Sequence, residues 1–493
     1  MILVYALITF YIFWKYIKFY KLQKIFVNIP SPKGYPILGN YLDFINSSDS
    51  EIFKLTCDRC STYYPRLWAV WIWMKPALIL HKAEHIEAIL KGVIPTKKSR
   101  VYKYVEPWLG QSLLTSAGMH WKTHRKLLTP AFHFTILKEF QSVISEKADI
   151  LVDRLKTAME NNQEIELLPY INQCTLDVIC ETSMGVSINA QSDSPPVYYE
   201  AITNFTELAI KRQFSMFGKY EFLWNLTSQG RRQNECLKIL HDFADAVIQE
   251  RKHKLQQNIT DENNNEEDNR KLKPFLDIML ESDEPLTDKE IRDEVSTFLF
   301  AGHDTSSTNI NWTLFLLGNY PHIQDRVYEE LNSIFNGSKR HATNDDLIEM
   351  KYLEMCIKES LRMYPSAPRI SRVITEDTNI DGYFIPKNTS VCIHIYKVHH
   401  DPEHFSQPET FNPDNFLPEN IAKRHPFSYI PFSAGARNCI GQKFAIQEIK
   451  LILSSILRNF KVISLTNQHD VQIQSAFILT SKEGLKFRLV PRL

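Results

Sequence analysis

The longest stretch with a helical spacing of apolar and polar residues lies in the second half of the chain. It opens at Thr287-Asp-Lys-Glu290, which has the spacing of a capping box, and it stops at Gly318-Asn-Tyr-Pro321. About 31 residues lie between these signals, and at 1.5 Å per residue they would extend roughly 46 Å. The pattern therefore predicts one long helix that crosses a whole domain.

Shorter patterns on both sides predict a mainly α fold with small β-sheets. Helical spacing dominates up to about residue 256, apart from a strand candidate at 68–80. A further helix is predicted at 350–364, ending before a proline. Residues 370–398 change to short β-like runs separated by turns.

Residues 258–270 interrupt these patterns with a polar, acidic segment that contains a single apolar residue. Such a segment cannot bury enough apolar surface to order itself. We expect a mobile surface loop here. Because motifs on both sides of it are needed for one site, we expect residues 28–493 to form a single domain.

The N-terminus has a different pattern, and residues 1–27 are predicted to be a membrane anchor. Residues 2–14 are apolar or aromatic apart from Thr9, and lysines follow at spacings of three. Extension to Tyr20 reaches about 30 Å, if the first lysines snorkel to the interface. The lysines place the following domain on the cytoplasmic side. A buried core helix is the alternative reading.

Composition narrows the class of protein. Of the 493 residues, 44% are hydrophobic, and Lys+Arg and Asp+Glu both total 57. A nucleic-acid partner is not expected, because it would normally require a basic excess. The eight cysteines are scattered and indicate reduced thiols. A redox or zinc role for Cys57-x-x-Cys60 is a weak alternative, because no second pair lies nearby.

Residues 432–441 carry the strongest chemical signal, with the pattern F-x-x-G-x-R-x-C-x-G. The pattern is explained if Cys439 is a thiolate ligand of haem iron. Gly435 would then permit a turn with positive φ, and Arg437 would neutralise a haem propionate. Gly441 would let the backbone approach the macrocycle, and Phe432 is assigned to the same site. The alternative is a buried cysteine in a glycine-containing loop.

A second signal lies in the middle of the predicted long helix, at 300–307, where Gly302, Asp304 and Thr305 are all poor helix formers. Thr305 can donate a hydrogen bond to the carbonyl of Ala301, and Gly302 would let a flat cofactor approach. A kinked core helix with satisfied polar residues is the alternative.

These two segments resemble the cysteine loop and the A-G-x-D-T motif of the cytochrome P450 family. The resemblance runs from about residue 30 to the C-terminus, and the stretches at 115–134 and 429–442 are similar to animal family 4 members, especially those of insects. It implies the cytochrome P450 fold, with the long helix over haem b and Cys439 as the axial ligand.

By the same resemblance, Thr305 and Asp304 are the catalytic pair that delivers protons during oxygen activation. Ala301 and Gly302 would line the haem. Many family 4 members have a glutamate in place of Ala301 that esterifies a haem methyl group. We therefore expect the haem of this chain to be held without a covalent ester.

The remaining site residues also follow from the resemblance. Trp121 and Arg125, on one face of a helix, and Arg372 match family partners of the haem propionates. Glu359 and Arg362 match a buried structural pair, although E-x-x-R is more often a solvated pair on a helix surface.

The family usually adds a third member to this pair, an arginine, and Asn415 stands at its position. Asparagine can form some of the same hydrogen bonds, but it carries no charge. The pair is therefore expected to be short of hydrogen bonds, and Asn415→Arg to raise stability or haem retention.

The resemblance implies a monooxygenase that inserts one oxygen atom from O2 into a lipophilic substrate, such as a fatty acid, an isoprenoid or hormone, or a xenobiotic. No segment is left for a flavin or nicotinamide domain, so electrons from NADPH would arrive through a separate flavoprotein, NADPH-cytochrome P450 reductase, with cytochrome b5 as a further donor. The expected location is the endoplasmic reticulum membrane, with the catalytic domain in the cytosol.

Two other functions stay open. One is a P450 that acts on hydroperoxides without a reductase, although such members often lack the acid–alcohol pair that Asp304 and Thr305 form here. The other is a catalytically weak haem-binding relative, for which Asn415 is the reason in the sequence.

Overall fold

The computed structural model describes residues 1–45, 47–94, 96–161, 163–192, 197–215, 217–260, 274–282 and 284–492. Most of these residues are helical. The helices are α1 (Ile2–Phe26), α2 (Leu42–Ile45), α3 (Asp49–Tyr63), α4 (Ala83–Leu90), α5 (Glu106–Leu109), α6 (Gly118–Leu128), α7 (Phe134–Asn161), α8 (Leu168–Ser183), α9 (Val197–Phe214), α10 (Glu221–Asn225), α11 (Ser228–Thr260), α12 (Phe275–Leu280), α13 (Asp288–Asn319), α14 (Pro321–Phe335), α15 (Asn344–Glu349), α16 (Lys351–Met363), α17 (Ile395–His399), α18 (Pro418–Lys423) and α19 (Gln442–Asn459).

The strands form small sheets. They are β1 (Trp68–Ile72), β2 (Lys75–Leu80), β3 (Thr96–Lys98), β4 (Ile165–Glu166), β5 (Arg369–Ile374), β6 (Thr378–Ile380), β7 (Tyr383–Ile385), β8 (Ser390–His394), β9 (Phe460–Ser464), β10 (Ile473–Ser475), β11 (Leu479–Ser481) and β12 (Lys486–Pro491). The largest sheet has the order β1-β2-β8-β5-β3, and only β2 and β8 pair in parallel within it. A second sheet joins β4, β12 and β9, while β6 pairs with β7 and β10 with β11.

Helix α13 passes through the main hydrophobic core and confirms the predicted long helix. It has 32 residues, and Thr287 and Glu290 exchange the hydrogen bonds of a capping box at its start. Helices α8, α11, α16 and α19 pack around it. These helices bury most residues of α13. An exposed residue in the middle of α13 therefore marks an internal space next to the helix.

The other patterns are also largely confirmed. The strand candidate at 68–80 is a hairpin of β1 and β2, and the helix predicted at 350–364 is α16. The β-like runs at 370–398 are β5 to β8, followed by α17. Of the loop predicted at 258–270, residues 258–260 end α11 and the rest lies outside the described residues.

The C-terminal part of helix α1 contacts the largest sheet. The rings of Phe19 and Phe26 meet the indole of Trp71 at centroid distances of 5.7 and 5.6 Å. Apolar side chains nearer the N-terminus, such as Leu3, Phe10 and Phe13, are exposed instead of packing in a core. Among the helices that the structure describes, none has both the length and the apolar character needed to cross a membrane.

Candidate active site

The loop that carries Cys439 is closed by its own backbone. The amide of Cys439 donates to the carbonyl of Phe432 over 2.9 Å, and Gly435 has φ of +71°. A Cβ at Gly435 would lie 1.9 Å from the carbonyl oxygen of Leu90, at the end of α4. The turn predicted for Gly435 is thus confirmed, since both its φ and its contact with α4 require glycine.

The thiol of Cys439 lies just before the N-terminus of α19, whose N-cap is Gly441. The Cys439 side chain is exposed, but the space that it faces lies within the fold, so protein atoms surround it. This enclosure raises the pKa of the Cys439 thiol, while the Gly441 amide and the Arg125 charge oppose the rise. A Cβ at Gly441 would meet only the Phe132 ring, at 3.9 Å, so the approach to this turn is open.

Positively charged groups gather beside the loop. The guanidinium of Arg437 donates to the carbonyl of Ser116 over 2.9 Å and lies 4.0 Å from the centroid of the Trp121 ring. Arg125 donates to both the backbone and the side-chain oxygen of Asn438, at 3.0 Å each. The contacts of Arg125 and Arg437 fix α6 and the segment before it to the cysteine loop.

Arg372 and Lys98 complete this group, which we call the cation cluster: Lys98, Arg125, Arg372 and Arg437. Burial, with Arg372 and Arg125 nearby, lowers the pKa of Arg437 to about 10. Burial and the neighbouring Arg372 and Arg437 also hold the pKa of Lys98 well below its ordinary value. Arg372 is only 5% exposed.

Among the described residues, no carboxylate is close enough to affect the pKa of Lys98 or of Arg437. Buried cations normally have an anionic partner, because their mutual repulsion and desolvation are costly. The cation cluster therefore fits a ligand with more than one negative charge. Haem, which has two propionates and an iron that a thiolate can bind, fits both the cation cluster and Cys439.

The middle of α13 has an exposed face. Ala301 is exposed and Thr305 is partly exposed, although the residues around them on the helix are mostly buried. Thr305 Oγ1 donates to the carbonyl of Ala301 over 2.8 Å, as predicted. Side chains outside the helix donate to two more carbonyls, from Thr175 to His303 and from Ser366 to Thr305. This part of α13 thus has unusual polar contacts without being interrupted.

Asp304 and His303 point away from this exposed face into buried surroundings. Burial raises the pKa of Asp304 to about 7, so its carboxyl can hold or release a proton near neutral pH. Its charge also helps to raise the pKa values of Tyr198 and Tyr199. Burial lowers the pKa of His303 to about 4, and its Nδ1 contacts the carbonyl of Leu299. His303 is thus a neutral packing residue.

Gly302 has a packing contact that the sequence did not indicate. A Cβ at this position would lie 2.7 Å from Cδ1 of Ile179 in α8. The close packing of α8 against α13 accounts for the glycine, because an alanine there would force Ile179 to move. A contact between Gly302 and a cofactor stays a prediction.

Glu359 and Arg362 form a fully buried ion pair on α16, with two hydrogen bonds of 2.8 Å. The other guanidinium hydrogens go to the carbonyls of His399, Pro408 and Thr410.

Oε1 of this glutamate also accepts from the amide of Asn412 and from Nδ2 of Asn415, at 3.0 Å each. The expectation that the Glu359–Arg362 pair is short of hydrogen bonds is therefore wrong. It failed because the sequence does not show the backbone groups that surround the pair.

Lys98 was missed by sequence reasoning, although it belongs to the cation cluster. Its partner in the antiparallel register of β3 and β5 is Arg372. The pairing joins segments more than 270 residues apart, and the local signal is only a short Thr-Lys-Lys strand. The register is what brings the lysine to the site.

A cavity of about 1010 Å³ lies between the largest sheet, α3 and the end of α9. Its lining includes Arg100–Tyr104, just before α5, and Ile210 and residues 212–215 at the end of α9. It does not include Cys439, Ala301 or Thr305. We therefore treat it as a separate space, since the chemistry of the site depends on the residues at the cysteine loop and α13.

Comparisons with known proteins agree with this geometry. The model of the family Cytochrome P450 matches residues 29–487. Cytochrome P450 4c3 of Drosophila melanogaster is 42% identical, with 96% of this chain and 91% of that protein covered. Cytochrome P450 4V2 of Homo sapiens is 40% identical, covering 93% and 89%, and cytochrome P450 4c21 of Blattella germanica is 37% identical, covering 100% and 99%.

Proposed function

We propose that this chain, which belongs to the cytochrome P450 family, oxidises lipophilic substrates with electrons from a separate reductase. Members of this family are haem monooxygenases, and the chain is accordingly an oxidoreductase with a haem held by a cysteine thiolate. When bound, the haem supplies oxygen activation and electron transfer. What this chain adds is the binding of the haem, the positioning of the substrate and the control of protons.

One observation carries the assignment of the site. Cys439 is enclosed at the N-terminus of α19, beside a cation cluster for which the described residues provide no carboxylate. We assign Cys439 as the thiolate ligand and Lys98, Arg125, Arg372 and Arg437 as the groups that hold the propionates. Helix dipole, amide and arginine all favour the thiolate there.

Proton delivery is assigned to two neighbours on α13. The hydroxyl of Thr305 is held by the Ala301 carbonyl on the exposed face of the helix, where it can orient a proton donor. Asp304 holds a proton that it can exchange near pH 7, because burial raises its pKa to about 7. The Asp304–Thr305 pair is the feature that disfavours a hydroperoxide-rearranging enzyme.

The assignment of Cys439 is tested by the carbon monoxide difference spectrum of the reduced protein. The red-shifted Soret band of thiolate ligation should appear in the wild type and be absent in Cys439→Ala. Cys236→Ala is the matched control, because it removes a buried thiol from α11. Loss of the band in the control alone, or its presence in Cys439→Ala, would contradict the assignment.

The substrate is proposed to be a lipid with an acidic end. The cavity of about 1010 Å³ does not reach the cysteine loop, so its proposed role is to hold the acidic end of the substrate and not the carbon that is oxidised. It combines apolar residues such as Phe214 and Phe477 with an excess of basic over acidic side chains. Lys75 lies there near Arg100 and Lys219, which help burial to lower its pKa. A carboxylate would relieve the repulsion among these cations.

The proposed substrate is tested by comparing a long-chain fatty acid with its methyl ester in the reconstituted enzyme. The acid should bind more tightly and be turned over faster. Equal binding of both would indicate a neutral isoprenoid or a foreign compound instead.

The electron donor is proposed to be NADPH-cytochrome P450 reductase, with cytochrome b5 as a second donor, at the endoplasmic reticulum membrane. The exposed apolar side chains of α1 and the lysines after them support anchoring of residues 1–27. Turnover should require the reductase, and deletion of residues 1–27 should release the protein from microsomes. Activity on hydroperoxides without reductase would favour the alternative function.

A further inference from the structure

Two histidines on α6 and a glutamate on α13 form a cluster that the haem site does not use. His120 and His124 are one turn apart, and their ring centroids are separated by 4.1 Å. One ligand atom from each histidine and one from Glu290 lie within 4.8 Å of one another. His120 and Glu290 are partly exposed and His124 is buried, so the cluster opens to solvent at one side.

Both histidines are already oriented through one ring nitrogen. Nε2 of His120 lies 2.7 Å from the carbonyl oxygen of Gln111, and Nδ1 of His124 lies 2.7 Å from Oε1 of the buried Glu294. If these nitrogens carry the protons, Nδ1 of His120 and Nε2 of His124 are free to coordinate. Metal-binding histidines characteristically donate their second nitrogen to a carbonyl or carboxylate in this way.

The glutamate is held in a similar manner. Oε2 of Glu290 accepts hydrogen bonds from the amide and the hydroxyl of Thr287, at 2.9 and 2.7 Å, in the capping box of α13. The other oxygen has no part in the capping box. A carboxylate held through one oxygen loses little conformational freedom when it binds a metal through the other.

We propose that His120, His124 and Glu290 bind one Zn²⁺ ion, with water as the fourth ligand. Two imidazoles and a carboxylate with an open position form a known donor set for zinc, whereas Mg²⁺ and Ca²⁺ prefer oxygen ligands throughout. The ligand atoms must move closer to reach bond lengths of about 2.0–2.2 Å. Since His120 and Glu290 are partly exposed, their side chains can make this adjustment.

Bound zinc would join α6 directly to the start of α13. Helix α6 also carries Trp121 and Arg125, which contact Arg437 and Asn438 of the cysteine loop. The ion would therefore restrain the helix that supports the cation cluster. Its expected effect is on thermal stability and on the rate of haem loss, and it takes no part in oxygen chemistry.

The proposal is tested on tag-free holoenzyme at pH 8, dialysed against a small excess of Zn²⁺ and then against metal-free buffer. Elemental analysis should give one zinc per protein chain, in addition to the haem iron. His120→Asn and Glu290→Gln should lose it, and His469→Asn, which alters an exposed histidine elsewhere, should retain it. Glu290→Gln keeps the capping box, because glutamine serves equally well at that position.

A titration followed by calorimetry separates this site from adventitious binding. The wild type should show one zinc site that raises Tm, and affinity in the two ligand variants should fall at least tenfold, in line with removal of a zinc ligand. The carbon monoxide spectrum of each variant should stay normal, which shows that it is folded. No zinc in the wild type, or equal zinc in all variants, would overturn the proposal.

Discussion

The side-chain amide of Asn415 donates a hydrogen bond of 3.0 Å to Oε1 of Glu359, the buried carboxylate that also binds Arg362. The asparagine thus occupies the third position beside the ion pair. A second cation is already close, because the guanidinium of Arg424 lies over the rings of Phe405 and Phe416 and Glu359 acts on its pKa. Glu359 is therefore surrounded by donors.

Removal of this amide should cost stability. Asn415→Ala should lower the free energy of unfolding by about 1–2 kcal/mol, since it removes a hydrogen bond to a buried charge. Asn415→Arg should give no gain in Tm or haem occupancy, because it adds a third cation near Arg362 and Arg424. Thermal unfolding measures both, with Asn420→Ala as the control on α18. A higher Tm in Asn415→Arg would instead support the expectation from the sequence that an arginine at this position stabilises the Glu359–Arg362 pair.

Loss of the Thr305 hydroxyl should separate NADPH consumption from product formation. Thr305→Ala should keep a normal carbon monoxide spectrum but waste several-fold more NADPH per product, because the proton donor is no longer oriented. The control is Thr313→Ala, which removes an equivalent bond of 2.8 Å to the carbonyl four residues earlier, at a fully buried position. Unchanged coupling in Thr305→Ala would remove Thr305 from the proton path.

Substitution of Arg372 should loosen the haem without weakening the apoprotein. Among the described residues, the side chain of Arg372 donates to the carbonyl of the neighbouring Ser371 and pairs with no carboxylate, so its charge is available to a propionate. Arg372→Gln should accelerate haem transfer to apomyoglobin about tenfold, as expected for one charge-assisted hydrogen bond. Arg369→Gln on the same strand, which loses a bond to Ser475, is the control. Equal rates in both variants would contradict the role of the cation cluster.

Glu448 should make stability fall as the pH rises. Its carboxyl is buried in α19, and burial raises its pKa to about 8, a rise that the nearby Ser306 hydroxyl partly offsets. An unfolded glutamate ionises near pH 4.5, so between pH 4.5 and 8 the folded state retains a proton that the unfolded state has lost. Stability therefore decreases over this window, at up to about 1.4 kcal/mol per pH unit.

The variant that tests this effect is Glu448→Gln. It should be more stable than the wild type by roughly 2–4 kcal/mol at pH 8, and the difference should vanish below pH 4.5. Tm measured at pH 4.5, 6.5 and 8 gives the profile, with the exposed Glu349→Gln as the control. A constant difference across this range would mean that packing, and not ionisation, is responsible.

Acid extraction should release the haem from the protein in unmodified form. Ala301 has no carboxylate to form an ester, so extraction with acidified organic solvent should release all of it as unmodified haem b. Ala301→Glu, after turnover, is the comparison in which a fraction should stay attached. Haem that remains with the wild-type chain would show a covalent link at another residue.

Local signals explain why parts of the site could be predicted. The turn at Gly435 and the bond from Thr305 to Ala301 depend on residues within a few positions of each other. The role of Gly302 was harder, because its neighbour Ile179 comes from α8. The surroundings of Glu359 were harder still, since most of its additional partners are groups near Asn412 and Asn415 that only folding brings together.

The amino-acid pattern alone was enough to set the ends of α13, the mainly helical class and the identity of the candidate iron ligand, because caps, helical spacing and turn residues act over short distances. Folding was needed to pair Lys98 with Arg372 and to bring Glu290 to His120 and His124. These contacts join residues far apart in sequence, through strand register and helix packing. The local preferences of these residues do not predict such contacts, so the two sites exist only once the tertiary structure has formed.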